Sequence, residues 1–169
     1  MKALIVSDSH GLNEELITIK ERHINEVDVM IHCGDSELQK KDDALEGFVV
    51  VRGNCDLNTS FPNDLVQPVD NKNVLVTHGH LYGVKNNLIS LKYKAKEAGA
   101  NIVCFGHSHI AYVEKIDDLL FINPGSIALP RLFKEKTYAI LSVQNDEIEV
   151  LFYTDQGRNI ESWSRTFKA

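Results

Sequence analysis

The stretch Ile102-Val103-Cys104-Phe105-Gly106-His107-Ser108-His109 decides how this chain is read. Four apolar residues in a row mark a strand buried on both faces. They run out at a glycine followed by two imidazoles one residue apart. On an extended backbone, residues i and i+2 project to one face, so the spacing predicts that both rings point into one pocket. Imidazole is also the commonest metal-binding side chain. Taken alone, His-x-His reads more readily as a hydrogen-bonded core or rim histidine beside a solvated one, and the rest of the chain has to decide.

Working outward, the same punctuation recurs. Lys2–Val6 has the pattern of a buried strand and runs into Asp8-Ser9-His10-Gly11. Asn13 reads as the N-cap of a helix to about His23, with Leu16, Ile19, His23 and Ile24 on its inner face. Residues 27–32 form a second apolar run ending in Cys33-Gly34-Asp35. Residues 36–45 carry charges at helical spacing and predict a short surface helix. Residues 48–51 lead into Arg52-Gly53-Asn54-Cys55-Asp56. Strands alternating with helices across short turns predict βαβ units and a parallel sheet. Such sheets place their sites at the carboxyl ends of the strands.

Residues 56–73 are turn-rich, with an edge strand over 65–69, and residues 74–77 then run into His78-Gly79-His80. A helix follows over 85–98, closed by Gly99. Beyond the opening stretch, residues 110–116, 119–122, 138–143 and 147–153 alternate around Asp117-Asp118 and Asn145-Asp146 turns. They predict hairpins in a second, antiparallel or mixed sheet. Asn123-Pro124-Gly125-Ser126 reads as a turn, and residues 155–169 as a docked short strand or a frayed tail. With no repeat or linker, residues 1–169 are read as a single domain.

Composition narrows the function. The net charge is −6 and no basic run could track a phosphate backbone, which argues against long nucleic acid as a partner. A small phosphate ester remains compatible, provided that something other than lysine supplies local positive charge, as a metal cluster would. No apolar run approaches the roughly 20 residues that span a bilayer, and the N-terminus lacks a signal-peptide pattern, so no membrane association is expected. Three cysteines, odd in number and widely spaced, suit a reducing cytosol, and the expected location is cytoplasmic.

Collected across the strand ends, the donors are Asp8, His10, Asp35, Asn54, His78, His107 and His109. Each has an ordinary alternative: Asp35 as a turn residue, Asn54 as the holder of a left-handed turn. Together they place oxygen and imidazole donors at five strand ends on one edge. Mixed imidazole, carboxylate and amide oxygen suits Mn²⁺, Fe²⁺ or Zn²⁺ better than Mg²⁺. Seven ligands exceed one ion and suit two sharing a carboxylate, a pair that clamps phosphate oxygens and lowers the pKa of a bridging water. Hydrolysis of a phosphate ester is the chemistry implied.

Asp8-x-His10, Gly34-Asp35, Gly53-Asn54, Thr77-His78-Gly79 and Gly106-His107-x-His109, in this order, resemble the calcineurin-like metallophosphoesterase superfamily. They are most similar to its small single-domain bacterial and archaeal phosphodiesterase branch. Asn123-Pro124-Gly125-Ser126 and Pro130-Arg131 extend the likeness over nearly the whole chain. The resemblance implies an α/β (α+β) fold, a four-layer αββα sandwich of two mixed β-sheets flanked by helices. It implies two divalent metal ions per chain, Mn²⁺ first, with Ni²⁺, Fe²⁺ or Zn²⁺ as alternatives. One would be held by Asp8, His10, Asp35 and His109. The other would be held by Asp35, Asn54, His78 and His107, with a metal-bridging hydroxide as nucleophile. Asp35 and Asn54 are thereby also catalytic.

One departure stands out. Many family members carry Gly-Asn-His followed by an acid, and that histidine protonates the leaving group. Here Cys55 takes its place, a form that the small phosphodiesterase branch resembles. A thiol is a poor general acid, and its presence favours activated or cyclic esters. His80 is the candidate replacement. Arg131 is a candidate phosphate contact through its guanidinium, with a structural ion pair as the alternative. His32 is read as a packing residue or one bonded behind the ligands. The expected function is metal-dependent phosphodiester hydrolysis on a small phosphate-ester substrate. The alternatives are phosphomonoester hydrolysis and a non-catalytic scaffold like the similar subunit of the retromer complex. A homo-oligomer is compatible with the sequence.

Overall fold

The computed structural model describes residues 1–57, 60–145 and 147–168. Strand β1, Lys2–Val6, starts the chain, and its alternation sets the layering. Ala3 and Ile5 face the middle of the molecule, whereas Leu4 and Val6 face the opposite way, onto Leu16 and Ile19. Those two residues belong to helix α1, Asn13–His23, where they and His23 form the buried stripe. Strands β2 (Val29–His32) and β3 (Phe48–Val50) follow β1 in parallel register, Ala3 opposite Val29 and Met30 opposite Phe48.

Strand β4 (Asp64–Val69) is the edge of the second sheet and pairs antiparallel with β5 (Lys72–Thr77). Helix α2, Ile89–Glu97, crosses to β6, Ile102–Cys104, which runs parallel to β5. In β6, Ile102 and Cys104 enter the central core, and Val103 packs outward on Leu91 and Ala95 of α2. The chain continues through β7 (Ala111–Ile116), β8 (Leu119–Pro124), β9 (Thr137–Gln144), β10 (Glu147–Thr154) and β11 (Arg165–Lys168). The sheets run β11-β10-β9-β1-β2-β3 and β4-β5-β6-β8-β7. Both are mixed, their inner faces share one core, and one helix covers each outer face. This is the four-layer αββα sandwich that the sequence led us to expect.

Several local expectations are corrected. Leu12, not Asn13, precedes the first helical turn, and the Asn13 amide instead donates to Asp42 Oδ1 at 2.6 Å. Ile24 lies past the helix end and is half exposed. Residues 36–45 form no α-helix beyond a 3₁₀ turn at Asp43–Leu45. The Asp35 and Ser36 carbonyls are taken by the His10 and Gly11 amides at 3.0 and 2.8 Å, so that segment serves the neighbouring loop. Helix α2 starts at Ile89 rather than 85, after a 3₁₀ turn at His80–Tyr82 and a left-handed Gly83.

The two late hairpins do not share a sheet. β8 runs parallel to β6 with Ile102 opposite Leu120, while β9 lies antiparallel to β1 with Ala3 opposite Leu141. Asn123 and Pro124 belong to β8, so only Gly125 and Ser126 leave the strand. Asp117 sits in a turn with a left-handed backbone, as does Asn145; Asp146 lies outside the described residues. The C-terminal segment docks as β11 on β10, and Ala169 again falls outside the described residues.

Candidate metal centre

The carboxyl ends of β1, β2, β3, β5 and β6 meet at one edge of the sandwich. They bring the seven predicted donors together. Ligand atoms of Asp8, His10 and His109 lie within 4.8 Å of one another, as do those of Asp35, His78 and His107. Asp35 joins the two groups, since it also lies within that distance of His10 and Cys55. Asn54 reaches the second group through Oδ1, 3.2 Å from His78 Nε2.

The route by which these side chains converge differs from the extended-backbone expectation. Asp8, His10, Asp35, His107 and His109 all have positive φ, between 43° and 66°. Left-handed backbone at a residue with a Cβ costs on the order of 1–3 kcal/mol, and it persists where surrounding structure enforces it. Here the enforcement is visible. Asp8 N donates to the Gly34 carbonyl at 3.0 Å, and His107 N donates to Asp8 Oδ2 at 3.1 Å. Glycines then allow the close approach. A Cβ on Gly53 would sit 2.0 Å from Asp35 Oδ1, and one on Gly106 would sit 2.0 Å from Ser7 Oγ.

The protonation pattern of the imidazoles is fixed from behind. His78 Nδ1 lies 2.8 Å from the Cys33 carbonyl, and His109 Nδ1 lies 2.7 Å from the Leu129 carbonyl. Carbonyls only accept, so each Nδ1 carries the hydrogen. His10 Nδ1 donates likewise to Glu37 Oε1 at 2.5 Å. With Nδ1 committed outward, each ring turns Nε2 into the site, where its neutral form offers a lone pair to a metal. His10 Nε2 and His109 Nε2 face each other at 3.3 Å, with Asp8 Oδ1 3.1 Å from His109 Nε2. His78 Nε2 faces Asp35 Oδ2 and Asn54 Oδ1, both at 3.2 Å. Asp8 Oδ1 is buried without a well-directed hydrogen bond. Carboxylate, amide and imidazole donors converging on one buried pocket suit a cation between them, so the donor set fits divalent metal.

Titration behaviour follows the same geometry. Asp8 beside His109 raises that imidazole above its ordinary value, against the opposing effect of burial. Burial pushes His78 down, but the Asp35 and Asp8 carboxylates outweigh it and the net direction is up. For Asp35 burial favours the neutral acid; the His78 imidazole and the Cys55 amide overcome it and hold the carboxyl well below the usual range. Burial and the neighbouring His78 lower His107 to about 4, which leaves it neutral and free to ligate.

The remaining predicted residues are placed as follows. His80 lines the pocket, its ring centroid 5.4 Å from that of His78 and 6.1 Å from that of His107. Arg131 is exposed at the rim, its amide donating to the His109 carbonyl at 3.0 Å. His32 is fully buried behind the loop, 2.9 Å from Ser9 Oγ. Cys55 is exposed, and partial burial together with Asp35 pushes its thiol up to about 11. At neutral pH that proton is held too tightly for efficient transfer to a leaving group. Cys33 and Cys104 are fully buried, and burial raises both. We therefore expect iodoacetamide at pH 8 to modify Cys55 alone in the native protein. The rate should be roughly 10–100-fold below that of a free thiol. Mass spectrometry showing equally fast labelling of Cys33 or Cys104 would contradict this packing.

Several positioning residues escaped the sequence reading. Buried Asp56 accepts from the amides of Asp35, Glu37 and Gly53 at 2.8, 2.7 and 2.7 Å, and from Ser36 Oγ at 3.2 Å. Ser7 Oγ donates to Asp8 Oδ2 at 2.6 Å. The Asn123 amide holds the Gly106 carbonyl and Ser108 Oγ at 2.9 and 3.0 Å. Ser126 Oγ donates to the Asp8 carbonyl at 2.8 Å and accepts from the Leu129 amide at 2.8 Å. Asp56 had a signal as the acid closing the Gly53-Asn54-Cys55-Asp56 motif, and Asn123 and Ser126 had one as the ends of the Asn123-Pro124-Gly125-Ser126 motif; Ser7 had none.

Comparison with known proteins agrees with this geometry. Over residues 1–146 the chain matches the calcineurin-like phosphoesterase superfamily domain. It is 53% identical over 161 residues to the probable metallophosphoesterase YsnB of Bacillus subtilis, covering 95% of each chain. It is 29% identical over 118 residues to the phosphodiesterase YfcE of Escherichia coli K12, a match covering 64% of this chain and 58% of YfcE. A crystal structure of a predicted phosphoesterase from Streptococcus pneumoniae TIGR4 superimposes with a TM-score of 0.94 at 33% identity, over 99% and 97% of the two chains. Vacuolar protein sorting 29 of Cryptosporidium parvum shares the fold, with a TM-score of 0.83 at 17% identity over 99% and 98%. With the motif order, the sandwich and the converging donors all in agreement, this chain belongs to the calcineurin-like phosphoesterase superfamily.

Proposed function

We propose that this chain, folded as one domain over residues 1–169, is a metal-dependent phosphodiesterase acting on small phosphodiesters. One observation carries the reading: in both halves of the site, imidazole Nε2 atoms whose Nδ1 is already committed face a carboxylate oxygen or a second imidazole at 3.1–3.3 Å. Asp8, His10, Asp35 and His109 would hold one divalent ion. Asp35, Asn54, His78 and His107 would hold the second, with Asp35 as the shared carboxylate. Mn²⁺ is the first choice, with Ni²⁺, Fe²⁺ and Zn²⁺ also suited to this donor mix. Bound there, the ions would supply Lewis acidity toward phosphate oxygens and bring the pKa of water near neutrality.

The chain's own residues do the rest. Asp35 and Asn54 orient the reacting centre, and Arg131 at the rim pairs with the phosphate. His80, beside His78 and His107, is the proton donor at hand where Cys55 is unsuited; burial and His78 lower it, so it donates from a minor protonated fraction at neutral pH. The net charge of −6 and the absence of a basic run favour a small ester over long nucleic acid. Among the described residues no helix is long and apolar enough to cross a membrane. Three free cysteines suit a cytoplasmic setting. The complete donor set favours an enzyme over a scaffold of the same fold, which has no physical need of it.

The test is metal-stripped protein given Mn²⁺ or Ni²⁺ and a chromogenic diester, bis(p-nitrophenyl) phosphate. Hydrolysis should return with metal, and p-nitrophenyl phosphate, the monoester, should be cut at least 10-fold more slowly. Full metal occupancy with no hydrolysis of diesters, monoesters or cyclic nucleotides would overturn the reading.

A further inference from the structure

Beside the donor cluster lies a cleft of about 400 Å³ that the metal-centred chemistry does not use. That volume is in the range of small-molecule sites. Its wall is apolar, formed by Val84 and Leu88 before α2, Phe105 at the end of β6 and Tyr112 on β7. The Phe105 and Tyr112 rings meet edge to face, with centroids 6.4 Å apart. A third aromatic ring therefore has edges and faces to pack against.

The cleft opens on the metal-binding loop. Ser108, which stands between His107 and His109, lines it, and so does Arg131, bonded through its amide to His109. Lys85 lines it as well. Two cations thus flank an apolar pocket on a chain of net charge −6. An entirely apolar ligand would leave both without a counter-charge, and an inorganic anion would leave the wall dry and unfilled. An anion carrying an aromatic group satisfies both features.

We propose that this cleft is the subsite for an aromatic arm of the substrate, the ester group retained when the opposite bond is cut. The substrate class is then an aryl or nucleoside-type phosphodiester, its phosphate at the donor cluster between Lys85 and Arg131. This rests on the phosphodiesterase reading above.

The test uses two diesters with one leaving group, phenyl p-nitrophenyl phosphate and methyl p-nitrophenyl phosphate, on metal-loaded protein. The phenyl ester should be favoured by on the order of tenfold in kcat/KM, mainly through KM. Leu88→Gln should erase that preference with the methyl ester unchanged. Leu88→Trp, which fills the cleft with a bulky, largely apolar ring system, should do the same and guards against a folding defect in the first variant. Equal kcat/KM for both esters in the parent protein, or equal losses on both esters in the variants, would overturn the subsite.

Amide shifts in metal-free protein titrated with phenylphosphonate against methylphosphonate separate this inference from the one it rests on. Phenyl-dependent shifts at Leu88 and Tyr112, with no turnover of either diester by the metal-loaded protein, support the cleft and refute the phosphodiesterase reading. Turnover with no such shifts and no phenyl preference refutes the cleft alone.

Discussion

Asp35→Asn abolishes hydrolysis and metal uptake together while leaving the metal-free fold intact. The exchange keeps size and shape, and the retained oxygen still accepts the Cys55 amide, now at 2.7 Å from Oδ1. What changes is the other terminus. An NH₂ replaces the oxygen that lies 3.2 Å from His78 Nε2, and it can donate to the Nε2 lone pair of the neutral ring. The substitution thus removes a ligand shared by both halves of the site and occupies a second ligand with a hydrogen bond. Activity on a diester should fall by about 10³-fold or more. The metal-free variant should stay folded but denature at a somewhat lower temperature at neutral pH, because the attraction to His78 that holds the Asp35 carboxyl low is lost. A variant that retains both metal and turnover would remove Asp35 from its bridging place.

The second large effect is on stability. Asp56→Ala leaves the Asp35, Glu37 and Gly53 amides and the Ser36 hydroxyl without their common acceptor. Asp56 is buried, so water re-enters poorly, and each orphaned donor costs about 1–3 kcal/mol. Partial relaxation reduces the sum, and a loss of roughly 4 kcal/mol is expected. For a chain of this size that corresponds to a fall in Tm on the order of 10 °C. Asp56→Asn keeps one accepting oxygen and should lose about half as much. Chemical denaturation of the two variants beside the parent measures both values, and equal stability of all three would contradict the cradle described for Asp56.

Most of the fold and the donor set could be read from the sequence because both lie in local pattern. Each parallel strand is a short apolar run that stops at a polar residue, and the donors sit within four residues of those stops. What could not be read depends on contacts distant along the chain. Ser126 holds the carbonyl of Asp8, 118 positions away, and His107 donates to Asp8 across 99. Nothing near either residue announces the bond. Charges at helical spacing make 36–45 resemble a surface helix, whereas the Ser36 carbonyl accepts from Gly11 and the Gln39 and Asp42 carbonyls close local turns. The partition of the hairpins was hidden because β8 and β9 carry similar buried runs and differ in neighbour only. The premise of an extended backbone at His107 and His109 reached the right pocket by the wrong geometry, since both are left-handed.

The central claim is that one motif serves two ions, His109 with Asp8 and His10, and His107 with Asp35 and His78. Metal analysis of stripped and reloaded protein tests it directly, using the parent, His107→Ala, His109→Ala and the double variant. If the histidines serve different ions, the parent binds two, each single variant binds one, and the double variant binds none. A double variant that still holds one ion would place both histidines on the same metal and contradict the account.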